Sequence, residues 1–167
     1  MRTNYTVLVV DDNFSSSKFS VAIIGAQRTL RRTGHLWTYA NCVQDEAVNK
    51  VDLLSADAVI IDNDYGHGMV TVNRLLRDET LPIAYVSAYD LEGLRLQEER
   101  LPRALHRSTP EDLVEKGVVI IRKNLGSPRS IDSLVEDITH FLVGISSKPD
   151  YRTLPVAVGM GDLRYSA

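Results

Sequence analysis

The sequence contains a single cysteine, Cys42, and shows no excess of basic residues. One cysteine excludes an internal disulfide, and with it the disulfide-rich secreted folds, and it fits a reducing compartment. Lys and Arg together number 19 against 22 Asp and Glu, for a net charge of -3. A slightly acidic chain lacks the basic surface that nucleic acids and anionic membranes attract. We therefore expect no nucleic acid and no membrane as a direct partner.

Long hydrophobic runs are also missing. The apolar segment nearest the start, Val7–Val10, is far shorter than the roughly 20 residues of a membrane span and too short for a signal peptide core. We therefore expect a cytoplasmic protein. Its 167 residues, 44% of them hydrophobic, suit one globular domain. We assign the domain to residues 1–145 and treat residues 146–167, which contain Pro149 and Pro155, as a C-terminal tail or linker.

Short segments rich in β-branched residues are predicted as strands. The mixed segment Leu36–Ala40 is predicted to be an edge strand, whereas the others are almost entirely apolar, which is typical of buried parallel strands. These others are Thr6–Val10, Ala58–Ile61, Pro82–Val86 and Val118–Ile121.

Helical periodicity fills the intervals between the strands. The first predicted helix has Ser15 or Ser16 as its N-cap and Gly34 as its stop. The last and clearest helix is opened by Ser130 and closes near Gly144. Apolar faces can be assigned to four of the predicted helices: Phe19, Ala22, Ile23, Ala26 and Leu30; Val43, Ala47, Val51 and Leu54; Met69, Val72, Leu75 and Leu76; and Ile131, Leu134, Val135, Ile138 and Leu142.

The alternation of strands and helices, in the order β-α-β-α-β-α-β-α-β-α, predicts the fold class. Strands that alternate with helices are parallel and are joined by right-handed crossovers. We therefore predict an α/β protein with a flavodoxin-like, doubly wound sheet of five parallel strands and helices on both faces. Such sheets bind ligands at the carboxyl ends of their strands, so the residues after each strand are the functional candidates.

Acidic, hydroxyl and basic side chains follow the predicted strands. Three carboxylates close together repel one another unless a cation neutralises them, and Mg²⁺ binds sites of this kind while keeping several waters. A carboxylate can also be the nucleophile in phosphoryl transfer, with a lysine and a hydroxyl stabilising the transferred charge. These side chains lie in four segments, each at the end of one predicted buried strand: Asp11-Asp12-Asn13, Asp62-Asn63-Asp64, Ser87-Ala88 and Arg122-Lys123-Asn124.

This set of motifs resembles the receiver domain of bacterial two-component response regulators. The resemblance covers about residues 5–145 and rests on four segments: 7–13 (VLVVDDN), 57–62 (DAVIID), 81–88 (LPIAYVSA) and 118–123 (VVIIRK). It implies that Asp62 accepts a phosphoryl group from a histidine kinase or a phosphotransfer protein. Such a domain is a switch that phosphorylates and dephosphorylates itself, and not a turnover enzyme.

The resemblance also implies roles for the other residues of the site. Asp11 and Asp12 match the acidic pair that holds Mg²⁺, together with Asp62 and the backbone carbonyl of Asp64. Ser87 matches the hydroxyl that reports phosphorylation, and Lys123 matches the lysine that contacts the phosphoryl group.

The sequence departs from the receiver pattern at several positions. The phosphoacceptor is usually followed by Met-Pro, whereas this chain continues with Asp64-Tyr65-Gly66-His67-Gly68. Asn124 replaces the proline that usually follows the lysine, and Ile120 replaces the aromatic residue three positions before it. The charged stretch Leu91–Lys116, interrupted by Pro102 and Pro110, is longer than one helix and its loops require.

Other readings of these residues remain open. Lys123 could pair with Asp62 or Asp12 for structural reasons alone, as in a pseudo-receiver that binds partners independently of phosphorylation. A hydrolase of the phosphoaspartate type is less favoured, because the chain has no cap domain. A second copy of the chain is a further candidate partner. If the carboxylates repel one another, Asp62→Asn should stabilise the metal-free protein.

Overall fold

The computed structural model of the chain describes residues 4–63, 67–76, 81–100, 108–123 and 130–147. Asp64 and Asn124 lie outside these ranges, as does the tail from residue 148 onwards. The strands are β1 (Asn4–Val10), β2 (Leu36–Cys42), β3 (Ala58–Asp62), β4 (Ile83–Ser87) and β5 (Val119–Arg122). The helices are α1 (Lys18–Arg32), α2 (Ala47–Leu54), α3 (His67–Leu75), α4 (Leu91–Arg100), α5 (Pro110–Glu115) and α6 (Ser130–Ser146).

The strands form one parallel sheet in the order β2-β1-β3-β4-β5. The predicted fold class is therefore confirmed, and so is the edge position of β2. The order reverses between β1 and β3, and ligands of doubly wound sheets bind at such a switch point. Val10 pairs with Ile61, and Asp62 pairs with Val86. The residues at and after these pairs share one edge of the sheet.

Helices cover both faces of the sheet with separate apolar clusters. On one face, α1 and α6 pack Phe19, Leu30 and Ile138 against the sheet. On the other face, α2, α3, α4 and α5 contribute buried residues that include Leu94 and Leu113. The central strands are buried on both sides, which explains their continuous apolar sequences.

The N-cap of α1 differs from the prediction. Ser17, and not Ser15 or Ser16, caps the helix, because residues 14–16 form a 3₁₀ turn that delays the first helical residue to Lys18. The Ser17 side chain accepts a hydrogen bond from the Ser20 amide at 3.2 Å. The predicted stop is confirmed, since α1 ends at Arg32 and Gly34 follows with a φ of 85°, which glycine adopts at little cost.

The segment between β4 and β5 contains two helices where the predicted order has one. Pro110, which the sequence suggests as an interruption, is the first residue of α5, where its missing amide hydrogen costs nothing. Thr109 and Asp112 form a capping box, each side chain accepting from the other's backbone amide. Thus α5 is added to the alternating pattern before β5.

Candidate functional site

An ion pair lies at the carboxyl end of the central strand. Asp62, the last residue of β3, pairs through Oδ1 with Nζ of Lys123, the residue after β5. The exposed fractions of the two side chains are only 5% and 11%, respectively. The Lys123 amide donates to the Ser87 carbonyl at 2.7 Å, which fixes the lysine backbone beside β4. Two of the predicted site residues are therefore in direct contact.

The two acidic residues after β1 are held by local hydrogen bonds. Asp11 is buried, and its two carboxylate oxygens accept from the Asn13 amide at 2.7 Å and from the Ser17 hydroxyl at 2.9 Å. Asp12 is exposed, and its Oδ1 accepts from the Gln44 amide at 2.9 Å. Asp11 therefore orders the turn that leads into α1, whereas Asp12 faces solvent at the edge of the sheet.

Ser87 lies in a buried hydrogen-bond network at the end of β4. Its Oγ accepts from Nδ2 of Asn63 at 3.1 Å and from the Tyr89 amide at 3.1 Å. The same Asn63 nitrogen donates to Oε1 of Gln97, on α4, at 2.8 Å. The network therefore joins the residue after Asp62 to β4 and to a helix on one face of the sheet.

A buried tyrosine lies near the carboxylate of Asp62. Tyr85 of β4 is fully buried, and its hydroxyl has no hydrogen-bond partner within the described part of the chain. Burial, and then the negative charge of Asp62, raise the pKa of this phenol above its ordinary value. Gly68, near the start of α3, packs closely against the tyrosine. A Cβ at position 68 would lie 2.8 Å from the Tyr85 ring and 2.8 Å from the Asp62 carbonyl oxygen.

The metal ligands predicted from the sequence are only partly described. Asp11 and Asp12 follow β1 and Asp62 ends the neighbouring strand β3, but the described residues contain no group of three Asp, Glu, His or Cys side chains arranged to hold a metal. Asp64 lies outside the described residues. The exposed Asp12 and the nearby Asp62 still offer two hard carboxylates, and Mg²⁺ takes one or two carboxylates while it keeps several waters.

The sequence analysis assigned no role to three residues of this site. Asn63 follows Asp62 directly, but nothing in the pattern reveals the direction of its amide. Gln97 lies in a charged helical stretch with no distinguishing signal. Tyr85 reads simply as another residue of an apolar strand.

The sequence matches no protein-family model and no curated protein significantly. The structure is similar to the response regulator domain of Thermotoga maritima CheB, with a TM-score of 0.56 and 19% identity over 87% of this chain and 98% of that one. It is also similar to an oxidoreductase from Corynebacterium diphtheriae, with a TM-score of 0.55 and 10% identity over 89% of this chain and 100% of that one.

A third similar structure is that of an atypical orphan response regulator, which is described as having a phosphorylation-independent regulatory mechanism. It has a TM-score of 0.48 and 17% identity, over 83% of this chain and 95% of that one.

Among the described residues, no helix is both long enough and apolar enough to cross a membrane. The sheet order and the similarity to the CheB domain together show that the chain has the fold of a response regulator receiver domain.

Proposed function

We propose that the protein is a phosphorylation-dependent signalling switch, in which Asp62 accepts a phosphoryl group from a phosphohistidine of a histidine kinase or phosphotransfer protein. The observation that carries the proposal is the buried contact between Asp62 and Lys123 at the carboxyl end of the central strand. Asp62 supplies a carboxylate nucleophile, and Lys123 supplies a cation beside it that can stabilise the negative charge of the transferred phosphoryl group. Asp11 and Asp12 follow the neighbouring strand β1, and Ser87 ends the other neighbour, β4.

The residues of the site have separate tasks in this reaction. A carboxylate oxygen of Asp62 forms the new bond to phosphorus while the phosphorus–nitrogen bond breaks and the imidazole leaves with the electron pair. Lys123 neutralises part of the charge on the phosphoryl oxygens, and Ser87 donates a hydrogen bond to one of them. Water later hydrolyses the acyl phosphate and restores the Asp62 carboxylate. The domain thus returns to its resting state without acting on a separate substrate.

A divalent cation belongs to the same proposal. Asp12 and Asp62 would hold Mg²⁺, with Asp11 orienting the loop and the Asp64 carbonyl as a further ligand. When bound, Mg²⁺ would offset the negative charge of the carboxylates and of the incoming phosphoryl oxygens. Asp12 suits the role of direct ligand because its side chain is exposed, whereas both Asp11 oxygens already accept hydrogen bonds.

Intact-mass spectrometry tests this proposal directly. The protein is incubated with Mg²⁺ and acetyl phosphate, and the expected product carries one added phosphoryl group. Asp62→Asn should show no such product, and omission of Mg²⁺ should greatly reduce it.

Asp57→Asn is the matched control. Asp57 is also a buried aspartate, but it lies at the amino end of β3 and accepts from the Thr6 amide at 2.8 Å. An asparagine oxygen can replace that acceptor, so this variant should be phosphorylated like the wild type. A wild-type protein that gains no mass would contradict the proposal.

One observation favours a second candidate, a pseudo-receiver that binds partners without being phosphorylated. Lys123 already compensates Asp62 in the resting structure, so this part of the site needs neither a phosphoryl group nor a metal. Ile120, where receivers usually have an aromatic residue, agrees with this alternative. Absence of phosphorylation in a correctly folded protein would select it.

A further inference from the structure

Ser87 has both of its lone pairs occupied in the resting structure. Its Oγ accepts one hydrogen bond from Nδ2 of Asn63 and one from the Tyr89 amide, each at 3.1 Å. A serine hydroxyl offers one donor and two acceptor positions. With both acceptor positions used, the hydroxyl proton has to point to a third partner. The two N–H groups therefore set Ser87 as a hydrogen-bond donor.

Asn63 is in turn held by a helix on one face of the sheet. Its amide nitrogen carries two protons, and the acceptors are Oγ of Ser87 and, at 2.8 Å, Oε1 of Gln97 on α4. The Asn63 backbone is fixed as well, because its amide donates to the Val86 carbonyl at 2.8 Å. Asn63 is buried, where reversing the direction of a hydrogen bond is costly.

From this network we infer that Asn63 is a positioning residue: it keeps the Ser87 hydroxyl directed as a donor towards an oxygen of the phosphoryl group on Asp62. Gln97 in turn holds the Asn63 amide in place. The inference rests on the proposed function, because it assigns a role in binding the phosphoryl group. It adds a residue that the receiver resemblance does not assign. It also makes the affinity of the site for a phosphoryl group depend on α4.

Two substitutions separate positioning from charge. Asn63→Asp keeps the shape of the side chain but leaves only acceptors, so the Ser87 hydroxyl turns towards the new carboxylate, and the Gln97 amide can rotate to donate to it. Gln97→Glu places the same extra charge at the other end of the same hydrogen bond. It leaves the Asn63 amide as donor and Ser87 in its original orientation.

The affinity for beryllofluoride, a phosphoryl mimic, is measured by NMR titration in the presence of Mg²⁺. We expect Asn63→Asp to weaken binding by about 10- to 100-fold, the effect of losing one hydrogen bond to a charged group. Gln97→Glu should stay within about threefold of the wild type, because it keeps the donor. Equal weakening by both variants would overturn the inference while leaving the proposed function intact. No binding by the wild type would instead contradict the proposed function, and this inference with it.

A second measurement avoids any variant at position 63. In the wild-type protein, the side-chain amide signals of Asn63 should shift when beryllofluoride binds, because the Ser87 hydroxyl that they contact gains a charged acceptor. In Ser87→Ala, which lacks the hydroxyl, the shift should be lost. Asn63 signals that do not respond to a bound mimic in the wild type would overturn the inference even if Asn63→Asp does not fold.

Discussion

At the scale of single residues, the Asp62–Lys123 pair decides how the resting site responds to mutation. Both side chains are largely buried, so removal of one charge leaves the other with reduced compensation. The sequence alone suggests that the carboxylates repel one another and that Asp62→Asn stabilises the protein. The structure favours the opposite sign, because the lysine already neutralises this aspartate.

We therefore predict that Asp62→Asn lowers the free energy of unfolding by about 1–3 kcal/mol without Mg²⁺. The cost stays below that of an isolated buried charge, because the asparagine oxygen can still accept from the ammonium group. Urea denaturation measures the effect. Lys123→Met is the companion variant, and the double variant should lose less stability than the two single variants together. A raised midpoint for Asp62→Asn would mean that carboxylate repulsion dominates.

The buried thiol of Cys42 gives a prediction that depends on pH. Burial and the nearby charge of Glu46 raise the pKa of this thiol from 9.0 to about 11, although Lys50 acts against them. At pH 8, the folded protein should therefore contain about 100-fold less thiolate than an exposed cysteine would. Alkylation by iodoacetamide should be correspondingly slow in buffer and fast in urea. Rapid alkylation of the folded protein would show that Cys42 is accessible.

The same shift in pKa predicts how stability changes at alkaline pH. The unfolded chain releases the thiol proton at a lower pH than the folded protein does, so deprotonation favours unfolding. The contribution of Cys42 is complete below about pH 9 and is lost as the pH rises towards about 11. Cys42→Ala should consequently lose less stability over this interval. Midpoints of urea denaturation at several pH values check the difference.

At the scale of whole elements, the packing of α1 on α6 depends on a glycine. A Cβ at Gly25 would lie 2.7 Å from Cγ2 of Val135, on α6. Valine is β-branched and has little rotamer freedom in a helix, so the two helices would have to separate slightly. Gly144 in α6 makes a suitable comparison, because a Cβ there would meet no atom within 4 Å.

We predict that Gly25→Ala destabilises the protein by about 1–3 kcal/mol through overpacking. Gly144→Ala should stabilise it by about 0.5–1 kcal/mol, because alanine is the better helix former and no contact opposes it. Thermal unfolding of the two variants measures both effects. Combining Gly25→Ala with Val135→Ala should recover part of the loss, and equal effects of the two glycine substitutions would contradict the packing argument.

At the scale of the whole molecule, the sequence was most informative where one physical signal dominated. Apolar strands alternating with amphipathic helices predicted the sheet, and their order predicted that Asp62 and Lys123 lie at the same edge, where the structure brings them into contact. The helix α5 was missed because Pro110 reads as a break unless its place after a Thr109 cap is known. The contact of Asn63 with Gln97 joins β3 to α4, and no local pattern encodes such a contact.

The same long-range contacts suggest how a change at Asp62 would reach the surface. Asn63 connects the site to Gln97 on α4, and Arg95 of α4 pairs with Glu111 of α5. Ile120 of β5, which pairs with Tyr85 in the sheet, is β-branched and stiff, so it is poorly suited to switch between two rotamers. We therefore expect the response in the segment that carries α4 and α5, and not in β5.

Hydrogen exchange with and without beryllofluoride and Mg²⁺ tests this expectation. Changed protection should concentrate in residues 87–100 and 108–116. The reason is that the Ser87 hydroxyl donates a hydrogen bond to the mimic, and this shifts Asn63 and its hydrogen bond to Gln97. Residues 118–121 should change little. Asp62→Asn, treated in the same way, is the control for effects of the reagents alone. If a bound mimic changes the protection of β5 but not of α4, the response takes another route. If a bound mimic changes no protection at all, phosphorylation is not the switch.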